Sequence, residues 1–305
     1  MLKWIDSAKR RSPTALPVTI MIQFTNPSAD LFIPDDSEPR PALERTTHLG
    51  VGAHQDDLEV MALHGILECY KQPQKWFGGV TVTNGAGSSR TNEYADYTDG
   101  QMQVVRAEEQ RKAAVVGEYA FMAQLDYPSS AVKEADNSDY ATDLQTILVT
   151  TRPQVVYTHN LADKHDTHVA VAVPLIRALR ELPADDRPAK VYGVEVWRDL
   201  NWLLDDEKVL LNLDNRPNLV RALISIFDSQ ISGGKRYDLA LEGRLRSNAT
   251  FFDSHAIDEM NLASYAMDLK PLVDDPSLGI AEYMKGYLER FFEDVRSRIN
   301  RFTND

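Results

Sequence analysis

Two short windows of the sequence concentrate groups that bind metals and move protons. The first is Gly52-Ala53-His54-Gln55-Asp56-Asp57-Leu58-Glu59. The second is Tyr157-Thr158-His159-Asn160-Leu161-Ala162-Asp163-Lys164-His165-Asp166-Thr167-His168. Imidazole and carboxylate donors together suit Zn2+. In the first window two adjacent acids allow two roles: one coordinates a metal while its neighbour points elsewhere and works as a base. The competing reading is that Asp56 or Asp57 simply caps the following helix, with Glu59 in its first turn, and for this window taken alone the cap is the stronger reading. In the second window His165 and His168 stand three apart, so both side chains share one side of a helical turn. The competing reading there is a polar loop capped by Asp166 or Thr167, with His159 as a hydrogen-bonded loop partner.

The elements flanking the windows favour the metal. Thr47–Ala53 reads as a short buried strand and Leu58–Leu67 as a helix, with apolar residues at i, i+3 and i+4. Phe77–Thr83 is a second strand, ended by the loop from Asn84 to Ser89. A charged helix is expected over Val104–Tyr119, a strand over Ala120–Leu125, a helix over Tyr140–Thr150 and a strand over Pro153–Thr158. A helix follows over Val169–Leu182, kinked or restarted at Pro174, and then a strand over Val191–Trp197. Strands alternating with helices indicate an α/β fold, a Rossmann-like three-layer α/β/α arrangement with a mainly parallel sheet. Both windows then lie where a strand ends and a helix begins, the edge at which open parallel sheets bind ligands. His54, Asp57 and His168 can converge there as a three-ligand site with an open position, the arrangement of catalytic zinc.

Residues 1–45 carry prolines at 13, 17, 27, 34, 39 and 41 and read as an irregular arm, with one strand at Val18–Phe24. Residues 46–200 form the α/β core. Residues 201–305 are less regular, with helices over Arg216–Gln230 and Ile280–Asn300, and read as an extension packed on that core.

The 305 residues include 33 Lys and Arg against 46 Asp and Glu, a net charge of −13. That balance argues against broad nucleic-acid binding and against an anionic membrane surface. No run of apolar residues is long enough to span a bilayer, and the N-terminal stretch lacks the pattern of a signal peptide. A lone cysteine, Cys69, is compatible with a reducing cytoplasm.

His54-Gln55-Asp56-Asp57-Leu58-Glu59 and His165-Asp166-Thr167-His168 together resemble the two signatures of the PIG-L/LmbE-like zinc-dependent N-deacetylases. Thr83-Asn84-Gly85-Ala86-Gly87 and Arg106-Ala107-Glu108-Glu109 resemble supporting segments, and the likeness spans about residues 47–197. Gly243–Thr250 is similar, less specifically, to part of longer members. The resemblance implies that His54, Asp57 and His168 bind zinc, that Asp56 is the general base, that His165 stabilises the oxyanion or acts as general acid, and that Arg106 contacts substrate. The implied substrate is a small N-acylated molecule, an N-acetyl amino sugar or glycoconjugate. Amidase or hydratase chemistry on the same scaffold, and a non-catalytic metal-binding module, are the alternatives; assembly of several copies is left open. Two positions depart from the family pattern: Gln55 stands where proline is usual, and Thr167 where aspartate is frequent.

Other groups compete less well. Asn84–Gly87 lacks the full dinucleotide-binding pattern. Gly233–Tyr237 with Arg244 and Arg246 is a basic stretch suited either to an anionic substrate group or to a solvated surface. Trp197, Trp202 and Tyr192 suit sugar stacking or core packing equally. His48, His64 and His255 read as structural.

Overall fold

The computed structural model describes residues 22–134, 139–253 and 255–303. Eight strands form one sheet: β1 Asp30–Phe32, β2 His48–Gly52, β3 Phe77–Thr83, β4 Phe121–Tyr127, β5 Val155–His159, β6 Lys190–Val194, β7 Val209–Asn212 and β8 Ala263–Asp268, in the order β1-β4-β3-β2-β5-β6-β8-β7. The five strands β4-β3-β2-β5-β6 run parallel, whereas β1, β8 and β7 are antiparallel to their neighbours. The sheet is therefore mixed.

The helices are α1 Pro39–Glu44, α2 Leu58–Met61, α3 Leu63–Cys69, α4 Asp99–Val116, α5 Ser129–Val132, α6 Asp139–Thr151, α7 Asp166–Glu181, α8 Pro217–Ile224, α9 Asp228–Ile231, α10 Tyr237–Phe251, α11 Lys270–Asp274 and α12 Ile280–Thr303. Side chains from the strands feed two apolar clusters. Leu49, Val80, Ala123 and Val156 pack with α6, α7 and α11; Phe77, Met122, Tyr157 and Val194 pack with α2, α3, α8 and α10. β2 and β3 are buried along their whole length, which fits sequences made mostly of apolar residues and glycine, with His48, Thr81 and Thr83 as the polar exceptions.

Several expectations need revision. The stretch read as irregular contributes strand β1, paired with β4, and helix α1; of the strand expected at 18–24, residues 18–21 lie outside the described residues and 22–24 are not in a strand. The helix expected over 58–67 is two short helices meeting at Ala62, and that expected over 216–230 is likewise two, α8 and α9. Two strands of the sheet, β7 and β8, come from the stretch after residue 200. Pro174 lies inside α7, yet the helix runs on. Proline deprives the carbonyl four residues back of its donor, and here the Tyr140 hydroxyl donates to that carbonyl, Ala170 O, at 3.0 Å.

The chain order fixes where a ligand can sit. From β2 the strands proceed outward through β3 to β4, and then the chain returns to the other side of β2 as β5. Such a reversal opens a crevice at the carboxyl ends of the two central strands. Both sequence windows begin there. Gly50 and Gly52 bring α2 close to β2: a Cβ on Gly52 would stand 3.0 Å from Asp57 Cβ, and one on Gly50 would stand 2.9 Å from Leu58 Cδ2.

At the opposite end of β2, His48 is buried, with Nδ1 2.9 Å from Thr47 Oγ1. Burial pushes its pKa from 6.5 down to about 4, so it folds as the neutral form. The unfolded chain then binds the extra proton first, and stability is lost as pH falls from 6.5 through about 4. We expect His48→Gln to remove up to about 3 kcal/mol of that acid sensitivity, read as the difference in urea midpoints between neutral pH and the acid end of that range.

Candidate active site

The turn between β2 and α2 and the first turn of α7 bring His54, Asp57 and His168 together. His168 Nε2 is 3.3 Å from His54 Nδ1. His54 Nδ1 is 3.3 Å from Asp57 Oδ2, and His168 Nε2 is 3.5 Å from Asp57 Oδ1. One donor atom from each of the three residues lies within 4.8 Å of the others, close enough for the set to share one ion. Two imidazole nitrogens and a carboxylate oxygen also suit Zn2+ better than Ca2+ or Mg2+, which favour oxygen.

The helix-cap reading of the first window fails. Asp57 does occupy the N-cap of α2, but its side chain makes no cap bond; Oδ2 instead accepts from His54 N at 2.7 Å. His165 sits at the N-cap of α7 without a side-chain cap bond either. Burial raises the pKa of Asp57, but His168 and His159 outweigh it and hold the carboxyl well below its ordinary value. Burial lowers His168, but Asp57 and Asp163 outweigh that and leave it raised. His54 and His165 are both lowered, chiefly by burial.

Asp56 stands apart from the cluster. Its backbone has φ +91°, a conformation that costs a non-glycine residue of order 1–3 kcal/mol and is held only by its surroundings. Gln110 supplies the hold: its Oε1 accepts from Asp56 N at 3.1 Å, and its Nε2 donates to Glu59 Oε1 at 2.9 Å. Tyr119 donates to the same Glu59 oxygen at 2.6 Å. Burial pushes Asp56 up to about 7 against the opposing charge of Arg106, with Asp57 adding to the rise, and burial pushes Glu59 up to about 7 as well.

Arg106 is buried on α4. Nη2 lies 3.4 Å from Asp56 Oδ1 and donates to Gln55 O, while Nη1 donates to Ser88 Oγ at 2.9 Å. Gly85, φ +72°, leaves room for this: a Cβ there would stand 3.1 Å from Arg106 Cδ and 2.7 Å from Gln55 Oε1. Gln55 uses a side chain that proline lacks, donating to Thr83 O at 3.0 Å and to Gln124 Oε1 at 3.3 Å.

The site opens into a cleft of about 640 Å3. His54, Asp56, Asp57, His165 and Arg106 line it, and Ile224, Phe227, Ile231 and Leu241 from the C-terminal third form an apolar wall. Glu109 fixes that wall to α4 by accepting from Ser229 N at 2.8 Å and from Ser229 Oγ at 2.6 Å. Trp197, Lys235, Tyr237 and Arg244 also line the cleft, with Lys235 Nζ 4.9 Å from the Trp197 ring. Arg246 instead pairs with Glu242 on the surface, and Trp202 packs towards Phe291. Tyr192 packs near Tyr157 in the core, His64 bonds the Tyr157 hydroxyl at 2.8 Å, and His255 is exposed outside the cleft. Burial pushes the Cys69 thiol up to about 12.

The model of the PIG-L family, described as GlcNAc-PI de-N-acetylase, matches residues 49–179 of the sequence. Residues 49–179 are a PIG-L family domain. No curated protein matches the chain in sequence. Solved structures share its fold. The N,N'-diacetylchitobiose deacetylase of Pyrococcus horikoshii is 15% identical, over 79% of this chain and 90% of its own, with a TM-score of 0.58. GalB of Pseudomonas putida, a 4-carboxy-2-hydroxymuconate hydratase, is 17% identical over 73% and 96%, with a TM-score of 0.56. The conserved protein TT1542 of Thermus thermophilus is 18% identical over 73% and 94%, with a TM-score of 0.54.

Three PIG-L domain residues that sequence reasoning left without a role belong to this arrangement. His159, read as a loop partner, ends β5; its Nε2 accepts from Ala53 N at 2.9 Å, and its ring stacks on His168 with centroids 3.8 Å apart. Asp163 Oδ2 lies 3.4 Å from His168 Nδ1, and the carboxylate also accepts from His165 N and Trp197 N. It supplies the orienting acid that Thr167 does not. Gln110 carried a legible signal, for Arg106, Glu109 and Gln110 fall on one face of α4 at i, i+3 and i+4, all buried. We expect Gln110→Ala to strand Asp56 N, to leave Glu59 Oε1 with Tyr119 as its donor, and to cost about 1–3 kcal/mol of unfolding free energy; an unchanged denaturation midpoint would remove Gln110 as the hold on Asp56.

Proposed function

We propose that the chain is a zinc-dependent N-deacetylase that hydrolyses the amide of a small N-acylated substrate, with N-acetyl amino sugars as its class. The PIG-L domain supports a hydrolytic N-deacetylase. The observation that carries the reading is a cluster of two imidazoles and a carboxylate, close enough to share one ion, beside an acid that is not part of it.

His54, Asp57 and His168 would hold the ion, which supplies Lewis-acid polarisation of the amide carbonyl and of water. Asp56 accepts the proton of the attacking water, at a carboxylate that Arg106 holds from one side and the Gln110 bond holds through its own backbone. His165 flanks the cluster, its ring 4.9 Å from that of His54 and 4.6 Å from that of His168. It lines the cleft, where its imidazole would donate to the developing oxyanion. The proton taken by Asp56 then passes to the leaving amine, so that the amide and one water yield a carboxylate and an ammonium. Arg106 lines the cleft with its guanidinium already on Gln55, Ser88 and Asp56; contact with substrate adds to that positioning role.

The hydratase alternative has one point in its favour, the fold shared with GalB. Amine release from a panel of N-acetyl sugars separates the readings. Release supports the deacetylase, whereas no release from any member combined with hydration of an unsaturated acid defeats it. On an active substrate, Asp56→Asn should lower kcat by about 10²–10⁴ with metal content unchanged; full turnover by the variant sinks the base assignment. Asp163→Asn should weaken zinc affinity by about 10–100-fold, measured by competition with a chelator.

A further inference from the structure

Helix α12 carries an apolar seam that stays exposed among the described residues. α12 turns Tyr283, Tyr287, Arg290 and Asp294 towards the body: Tyr283 donates to Asp268 O at 2.5 Å, Tyr287 is buried, Arg290 pairs with Glu207, and Asp294 is half-buried. Roughly 120° further round, at about 100° per residue, lie Leu288, Phe292, Val295, Ile299 and Phe302. These five are 37–86% exposed. Their spacing alternates four and three, the a/d pattern of a two-stranded coiled coil, with Phe292 and Ile299 at a and Leu288, Val295 and Phe302 at d.

We propose that this seam pairs with the same seam of a second copy of the chain, antiparallel, to make a homodimer. The flanking charges select the orientation. Glu289 and Arg296 occupy the e positions, and antiparallel helices set e against e. When Phe292 meets Val295 of the second copy and Ile299 meets Leu288, Glu289 lies beside Arg296 of the second copy, twice over by symmetry. A parallel pair sets g against e instead, matching Phe291 to Arg296 and Met284 to Glu289, with no charge complement. The exposed side chains along the seam mix both signs, including Glu289, Glu293, Arg296 and Arg298, which suits a protein partner better than an anionic bilayer.

Light scattering on the full chain across micromolar concentrations tests the pairing. The native chain should assemble in even numbers, and Phe292→Ser with Ile299→Ser should halve the measured mass. Glu289→Arg should weaken association by about tenfold, and adding Arg296→Glu should restore it. A native chain that stays monomeric overturns the proposal, including one that instead binds phosphatidylcholine vesicles. Mass unchanged in the serine variant also overturns it, and failure of the charge swap to restore association overturns the antiparallel register.

Discussion

A buried carboxylate is tolerable only when its oxygens are matched, and the Asp57 carboxylate accepts from His54 N at 2.7 Å and faces the imidazoles of His54 and His168. His54 reaches it from the same turn and His168 from α7, while His159, at the end of β5, stacks on the His168 ring. The contacts of His168 and His159 exist only because β2 and β5 lie side by side, and that adjacency is the point at which the strand order reverses. The charge balance at Asp57 and the topology of the sheet are thus one constraint. The glycines of β2 serve it, because they set the depth at which α2 delivers Asp57.

A second layer of polar contacts handles the neighbouring acid. Asp56 sits in an unfavourable backbone conformation, its amide bound to Gln110 and its carboxylate near Arg106. Gln110 is itself bound to Glu59, and Glu59 to Tyr119. Because Glu109, one residue earlier on the same helix, binds Ser229, α4 links the strained acid to the apolar wall of the cleft. The strained acid and the wall of the cleft therefore share a single support.

The two donor-rich windows were legible because His and Asp crowd into short stretches at strand ends, and the alternation of strands with helices was legible from periodicity. What escaped is long-range. β7 and β8 show no strong local pattern, and only pairing across the sheet defines them. The continuity of α7 through Pro174 depends on a hydroxyl thirty residues upstream. Asp163 stood in plain view within the second window, but its role depends on the rotation of His168, which spacing alone does not give.

The two outer strands of the sheet, β1 of three residues and β7 of four, have a bearing on how the protein survives its own synthesis. A parallel centre whose strands are joined by long crossovers forms slowly, and while it is incomplete its open margins are templates for pairing with other chains. Short flanking strands that run against their neighbours leave little backbone on offer once they dock. They act as selvedges, closing the weave so that the long central strands are never the ones left at the edge.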